Sequence, residues 1–194
     1  MGTPRPRLRV FVALALPDAV RAPLGEFLAR CAAAAPEQRW APVANLHLTL
    51  RFLGWVGAEE VDRVAAALVA VRRPPFQLGL GGLGRFGTPS RPRVLWLGVA
   101  AGREPLAALA DEVGARCRAA GVVGDERPYN PHLTLCRVRP GARLPALPDP
   151  VPLPPFEAVS FTLLQSRPGP GGSVYVPLHE FQLASPNSCS GDPE

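Results

Sequence analysis

His47-Leu48-Thr49-Leu50 is repeated, residue for residue, as His132-Leu133-Thr134-Leu135. In an extended strand, residues i and i+2 face the same way. Each copy therefore sets a histidine and a threonine on one face and two leucines on the other. The leucine face belongs against a core. The other face offers an imidazole, which gives or takes a proton near neutrality, beside a hydroxyl that donates a hydrogen bond. The chain has only 3 histidines, and two of them lie in this repeat. A single histidine on a leucine-rich strand is ordinarily structural. The same pattern twice, on two strands, points to a symmetric acid–base site.

The surrounding residues place both copies in a larger pattern. Residues 9–16 read as a strand. Residues 19–35 read as a helix entered through Pro17, with Asp18 as its cap. Residues 45–53 form the first repeat strand, ended by Gly54 and Gly57. Residues 58–72 read as a helix with Glu59 and Glu60 in its first turn and Arg72 and Arg73 at its end, matching the macrodipole. Val61, Val64, Ala65, Leu68 and Val71 line its buried face. Residues 76–80 and 94–99 read as strands joined by a Gly/Arg/Pro-rich loop. Residues 104–120 read as a helix capped by Gly121, and 131–138 as the second repeat strand. The prolines of 139–155 exclude a regular helix and indicate an extended linker. Strands at 158–165 and 173–177 follow, with 181–183 extending the last.

Each repeat strand thus comes after a helix, as two related half-units would have it. The expected fold class is α+β and bilobal: two pseudo-twofold-related lobes of mainly antiparallel sheet, helices outside, and a cleft between them. Residues 1–184 form one domain in this reading, and 185–194 a polar, flexible tail.

Composition narrows the chemistry. The hydrophobic share of 47% is ample for a core. The net charge of +5 favours an anionic partner such as RNA. All 21 basic residues are arginine. With no lysine, there is no P-loop lysine for ATP phosphates and no Schiff base or lysyl-nucleotide intermediate. Cys31, Cys117, Cys136 and Cys189 form no CxxC pair, so reduced thiols in a cytoplasmic setting are expected rather than zinc or a disulfide framework. No apolar run is long enough to cross a membrane, and the short apolar run before Pro17 does not suit a signal peptide. Nothing signals an oligomer, so a monomer is the default.

Two histidines in opposite protonation states, backed by Thr49 and Thr134, suit a phosphodiester. One activates water, the other protonates the departing alkoxide, and the hydroxyls donate to the phosphate oxygens as charge builds. This needs no metal, and no carboxylate cluster with metal-binding spacing is present.

Beyond the repeat, the chain resembles the two-histidine (2H) phosphoesterases, specifically the bacterial and archaeal RNA 2′,3′-cyclic phosphodiesterases once named 2′-5′ RNA ligases. The matching stretches are RVFVALALP (9–17), RWAPVANLHLTLRFLG (39–54), RPRVLWLGV (91–99), YNPHLTLCRV (129–138) and LLQSRPGPGGSVYVPL (163–178). The resemblance implies a bilobal fold with both motifs in a central cleft. It implies hydrolysis of RNA or nucleotide 2′,3′-cyclic phosphates to 2′-phosphomonoesters without a cofactor, with weak reverse 2′-5′ joining of RNA ends. It also implies His47 as the acid and His132 as the base. The proline-dense 139–155 departs from relatives that carry more helix there, which bears on the outer shape of the second lobe.

Three further residues are candidates for substrate binding. Arg137 resembles a substrate-contacting arginine of the family, although strict alternation from His132 turns it away unless the strand twists near Cys136. Arg51 shares the face of His47 and Thr49 by alternation. Phe11 lies where the family has an aromatic near the bound base. Trp40, Tyr175 and Tyr129 border the cleft in packing roles, and His179, with no threonine two residues on, reads as a surface or strand-edge histidine. Two alternatives stay open: a 2H phosphodiesterase for 2′-5′-linked oligonucleotides, and a non-catalytic RNA-binding module.

Overall fold

The computed structural model describes residues 7–142, 147–148, 152–170 and 172–184. The chain runs β1 (Leu8–Ala15), α1 (Asp18–Ala34), β2 (Arg39–Trp40), a 3₁₀ turn (Val43–Asn45), β3 (His47–Val56), α2 (Ala58–Leu68), β4 (Phe76–Thr88), β5 (Arg91–Ala101), α3 (Arg103–Ala119), β6 (His132–Arg137), β7 (Phe156–Ala158), β8 (Ser160–Gly169) and β9 (Gly172–Gln182).

The strands form one antiparallel sheet in the order β7-β4-β5-β6-β3-β1-β8-β9, with β2 pairing β6 off that path. Four strands lie on either side of the β3–β6 boundary. The inner pair on each side comes from a strand–helix–strand unit: β1-α1-β3 in one half, β5-α3-β6 in the other. In each unit the histidine strand pairs with the strand that preceded the helix. This is the α+β, two-lobed arrangement that the repeat implies.

The leucine face of the repeat is core. Leu48, Leu50, Leu133 and Leu135 are 3% exposed or less and cluster with Leu24 and Phe27 of α1 and Leu106, Leu109 and Val113 of α3. Each such side chain contributes about 1.5–3 kcal/mol by leaving water. The helices cover this face, and the histidines occupy the other.

Several local expectations change. Asp18 does not cap α1: Pro17 takes the N-cap position, and Asp18 sits in the first turn, 3.7 Å from Arg21. Its charge still favours the helix N-terminus. Gly54 does not end β3; at φ 79° it sits inside the strand, next to a bulge against β1. The second helix stops at Leu68, so Arg72 and Arg73 lie beyond it and hold Glu112 of α3 instead, through the Arg72 backbone N–H (3.3 Å) and Arg73 Nε (2.7 Å).

The Gly/Arg/Pro-rich loop is the body of a long β4–β5 hairpin, whose glycines pair with Ala101, Gly98 and Trp96. Glycine ordinarily weakens a strand, but here it admits a close neighbour. The strand β7, unforeseen in the sequence, pairs β4, and β9 runs unbroken through Pro177. The described residues of 139–155 carry neither helix nor strand. The α3 C-terminus does close as expected. Gly121, at φ 85°, donates its N–H to Arg118 O and the Val122 N–H goes to Cys117 O, a Schellman motif. The expected tail lies outside the described residues.

Candidate active site

The two histidine strands meet at Leu48, opposite Leu133. In an antiparallel pair, that register brings His47 beside Thr134 and Thr49 beside His132. All four side chains are half-buried on the face away from the leucines.

Each ring is oriented the same way. His47 Nδ1 lies 2.7 Å from Asn45 O, and His132 Nδ1 lies 2.6 Å from Asn130 O. A carbonyl only accepts, so Nδ1 carries the hydrogen and Nε2 is left for the cleft. The functional repeat is therefore longer than four residues, an Asn-x-His-Leu-Thr-Leu at 45–50 and 130–135. The asparagine two places before each histidine was the available signal in the sequence. Asn45 adds a second tie, donating Nδ2–H to Ser173 O at 2.6 Å and so linking the 3₁₀ turn to β9.

Aromatic rings flank each imidazole. Phe11 and Tyr175 lie 5.0 and 5.1 Å from the His47 ring, the latter edge-on. Phe86 meets the His132 ring edge-on at 4.8 Å, with Trp96 at 6.2 Å. Sequence reading passed over Phe86 and Trp96. The Trp96 indole occupies the space over Gly84, where an added Cβ would stand 2.1 Å from the ring. Trp40, by contrast, turns to the core side and donates Nε1–H to Ala35 O. Tyr129 also packs on the core, and burial pushes its phenol well above the usual tyrosine range. His179 is exposed on β9, facing Leu163 of β8.

Burial pushes the His47 pKa below the ordinary value of 6.5. The hydrogen bond to Asn45 O partly offsets this, and the charge of His132 adds a smaller push downward. The two imidazoles stand on adjacent strands, His47 on β3 and His132 on β6.

Two equivalent bulges decide the arginines. Along β6, Thr134 pairs Trp96 and Cys136 pairs Leu95, leaving Leu135 as the extra residue. An extra residue reverses the alternation beyond it. Cys136 is therefore buried on the core side, and Arg137, opposite Val94, returns to the face of His132 and Thr134. Along β3, Thr49 pairs Ala13 and Arg51 pairs Val12, leaving Leu50 extra. The same reversal removes Arg51 from the histidine face, contrary to simple alternation. It points toward α3 and donates Nη2–H to Val123 O at 2.6 Å. Phe52 takes the cleft-facing place equivalent to Arg137. It is 40% exposed and lies 5.9 Å from the Phe11 ring. Phe11 itself is 2% exposed, so it backs His47 and has no free face for a base.

Among the described residues, no three His, Cys, Asp or Glu side chains come together to hold a metal ion. What the arrangement provides is two Nε2 atoms, two hydroxyls and a guanidinium around one face.

The sequence matches the 2′-5′ RNA ligase superfamily over residues 16–166. It is 35% identical over 147 residues to an Aeropyrum pernix protein named RNA 2′,3′-cyclic phosphodiesterase, covering 73% of this chain and 84% of that one. An Escherichia coli protein of the same name is 32% identical over 177 residues, covering 90% and 96%. Among solved structures, E. coli LigT complexed with 3′-AMP superposes with a TM-score of 0.75 at 30% identity, covering 91% of this chain and 98% of that one.

Proposed function

The chain belongs to the 2′-5′ RNA ligase superfamily, and on that footing we propose that it hydrolyses 2′,3′-cyclic phosphates, at RNA ends or on nucleotides, to 2′-phosphomonoesters. The observation that carries this reading is the pair of Asn-x-His-Leu-Thr-Leu strands, each directing a histidine Nε2 and a threonine hydroxyl to one face. The names of the relatives supply the substrate class.

In the proposed step, His132 takes a proton from water as the water oxygen attacks phosphorus. The bond from phosphorus to O3′ breaks, and His47 delivers its proton to O3′. Thr49 and Thr134 donate to the non-bridging oxygens, and Arg137 offsets their charge. The 2′ oxygen keeps the phosphate, and exchange with solvent resets the two imidazoles. For His47 to act as the acid it must gain a proton that burial disfavours. The proton comes from solvent, and the bound phosphodiester anion favours its uptake, since a counter-charge in contact raises an imidazole pKa. Phe52 offers its open ring to the base. With an RNA 5′-hydroxyl in place of water, the same chemistry joins ends through a 2′-5′ bond without ATP.

Residues 1–184 act as one bilobal domain and one monomer in this reading. Cys31, Cys117 and Cys136 are free and buried, in keeping with a cytoplasmic setting. No helix among the described residues is long and apolar enough to cross a membrane. The test is incubation with 2′,3′-cyclic AMP and with cyclic-phosphate-ended RNA in EDTA, identifying which hydroxyl keeps the phosphate. A 2′-phosphate, formed at an undiminished rate, is expected. A 3′-phosphate, or a strict metal requirement, would overturn the mechanism.

A further inference from the structure

β3 and β6 pair at Leu48 and Leu133, and past that point the same edge of β6 is taken up by β2. Arg39 lies opposite Arg137, Trp40 lies opposite Cys136, and the Ala41 N–H reaches Leu135 O at 2.8 Å. The short β2 therefore continues the floor of the cleft beyond His47 and Thr134. Directly paired residues share a face. Trp40 follows Cys136 to the core side, and Arg39 follows Arg137 to the cleft side.

Two exposed arginines thus occupy directly paired positions, an arrangement that like charge disfavours. Among the described residues neither is in an ion pair. Other arginines do have carboxylate partners: Asp18 holds Arg21, Glu112 holds Arg73 and Arg116, and Asp125 holds Arg127. Arg137 is two paired positions along β6 from Thr134, about 7 Å of strand. Arg39 stands across from it on β2, one strand away. An anion between them relieves the repulsion, and a phosphodiester matches the fork of two guanidiniums.

We propose that Arg39, together with Arg137, clamps the phosphodiester on the 5′ side of the terminal nucleotide, so that the protein selects oligonucleotide ends over mononucleotides. This rests on the proposed cyclic phosphodiesterase reading and adds the part of the substrate that the acid–base pair does not touch.

The test compares kcat/KM for 2′,3′-cyclic AMP and for a triadenylate ending in a 2′,3′-cyclic phosphate, in the wild type and in Arg39→Gln. The wild type is expected to favour the trinucleotide by about tenfold or more. In Arg39→Gln that ratio falls by about an order of magnitude, and the salt slope of the trinucleotide reaction shrinks by about 0.7–1. An unaltered ratio would overturn the clamp. Equilibrium binding of a triadenylate ending in a 2′-phosphate supplies a readout without turnover. Weaker binding and a smaller salt slope in Arg39→Gln support the clamp, and equal affinity overturns it. Should the wild type turn over neither cyclic substrate, the proposed function fails while the binding comparison still judges Arg39.

Discussion

Leu48 of β3 lies directly opposite Leu133 of β6, the register pair that joins the two histidine strands. Both are 0% exposed. Each belongs to the leucine face of its own copy of the repeat. The pairing that seals the core beneath therefore also aligns His47 with Thr134, and Thr49 with His132, above. One register sets both the packing and the site, since a slip of one residue would exchange the two faces.

The bulges at Leu50 and Leu135 predict opposite fates for two arginines. Arg137→Ala should raise KM for a cyclic phosphate by roughly an order of magnitude with little change in melting temperature. Arg51→Ala loses the hydrogen bond to Val123 O, which should cost about 1 kcal/mol of stability while leaving KM within about twofold. Steady-state kinetics and denaturant melts on both variants check this pair of outcomes.

The titration of His47 has a defined direction. Burial holds its pKa below 6.5, with the charge of His132 adding to the effect. By NMR, the His47 ring in the free protein should titrate below 6.5. In His132→Ala the value should rise, yet stay under 6.5, because burial is the larger cause. The neutral form therefore persists to lower pH than in an ordinary histidine. The kcat/KM limb that depends on His47 should likewise fall below 6.5, and the same limb of kcat should lie higher once the phosphate anion is bound. A free-protein value at or above 6.5 would contradict the burial argument.

A third outcome concerns Gly84. A methyl group there would meet the Trp96 indole at 2.1 Å, and Trp96 and Phe86 together flank His132. Gly84→Ala should cost about 1–3 kcal/mol by overpacking, alter the near-UV dichroism of tryptophan, and lower kcat more than it changes KM. An unchanged spectrum and rate would mean that the indole is not seated as described.

The parts of the molecule legible in the sequence are those that leave a periodic or chemical mark. Leucines at alternate positions marked the core faces of β3 and β6, the doubled histidine marked the site, and Gly121 marked the end of α3. A bulge leaves no such mark. The extra residues Leu50 and Leu135 look like any strand leucine, so strict alternation misplaced Arg51 and turned Arg137 away. The glycines of β4 suggested a loop because glycine is poor in strands. At Gly84 the reason is the large side chain that Trp96 lays across it, which only the fold brings there. The recurrence of Asn45 and Asn130 two places before each histidine is visible in the sequence, but the way they act is not, because they hold the imidazoles through backbone carbonyls, which every residue type carries.

The central claim is that His47 and His132 act as an acid–base pair on a phosphodiester. The most direct measurement is turnover of 2′,3′-cyclic AMP by His47→Ala and by His132→Ala beside the wild type, with binding of a 2′-phosphate product measured in parallel. Each substitution should lower kcat by about 10²–10⁴-fold while product binding persists. Full activity in either variant would contradict the account.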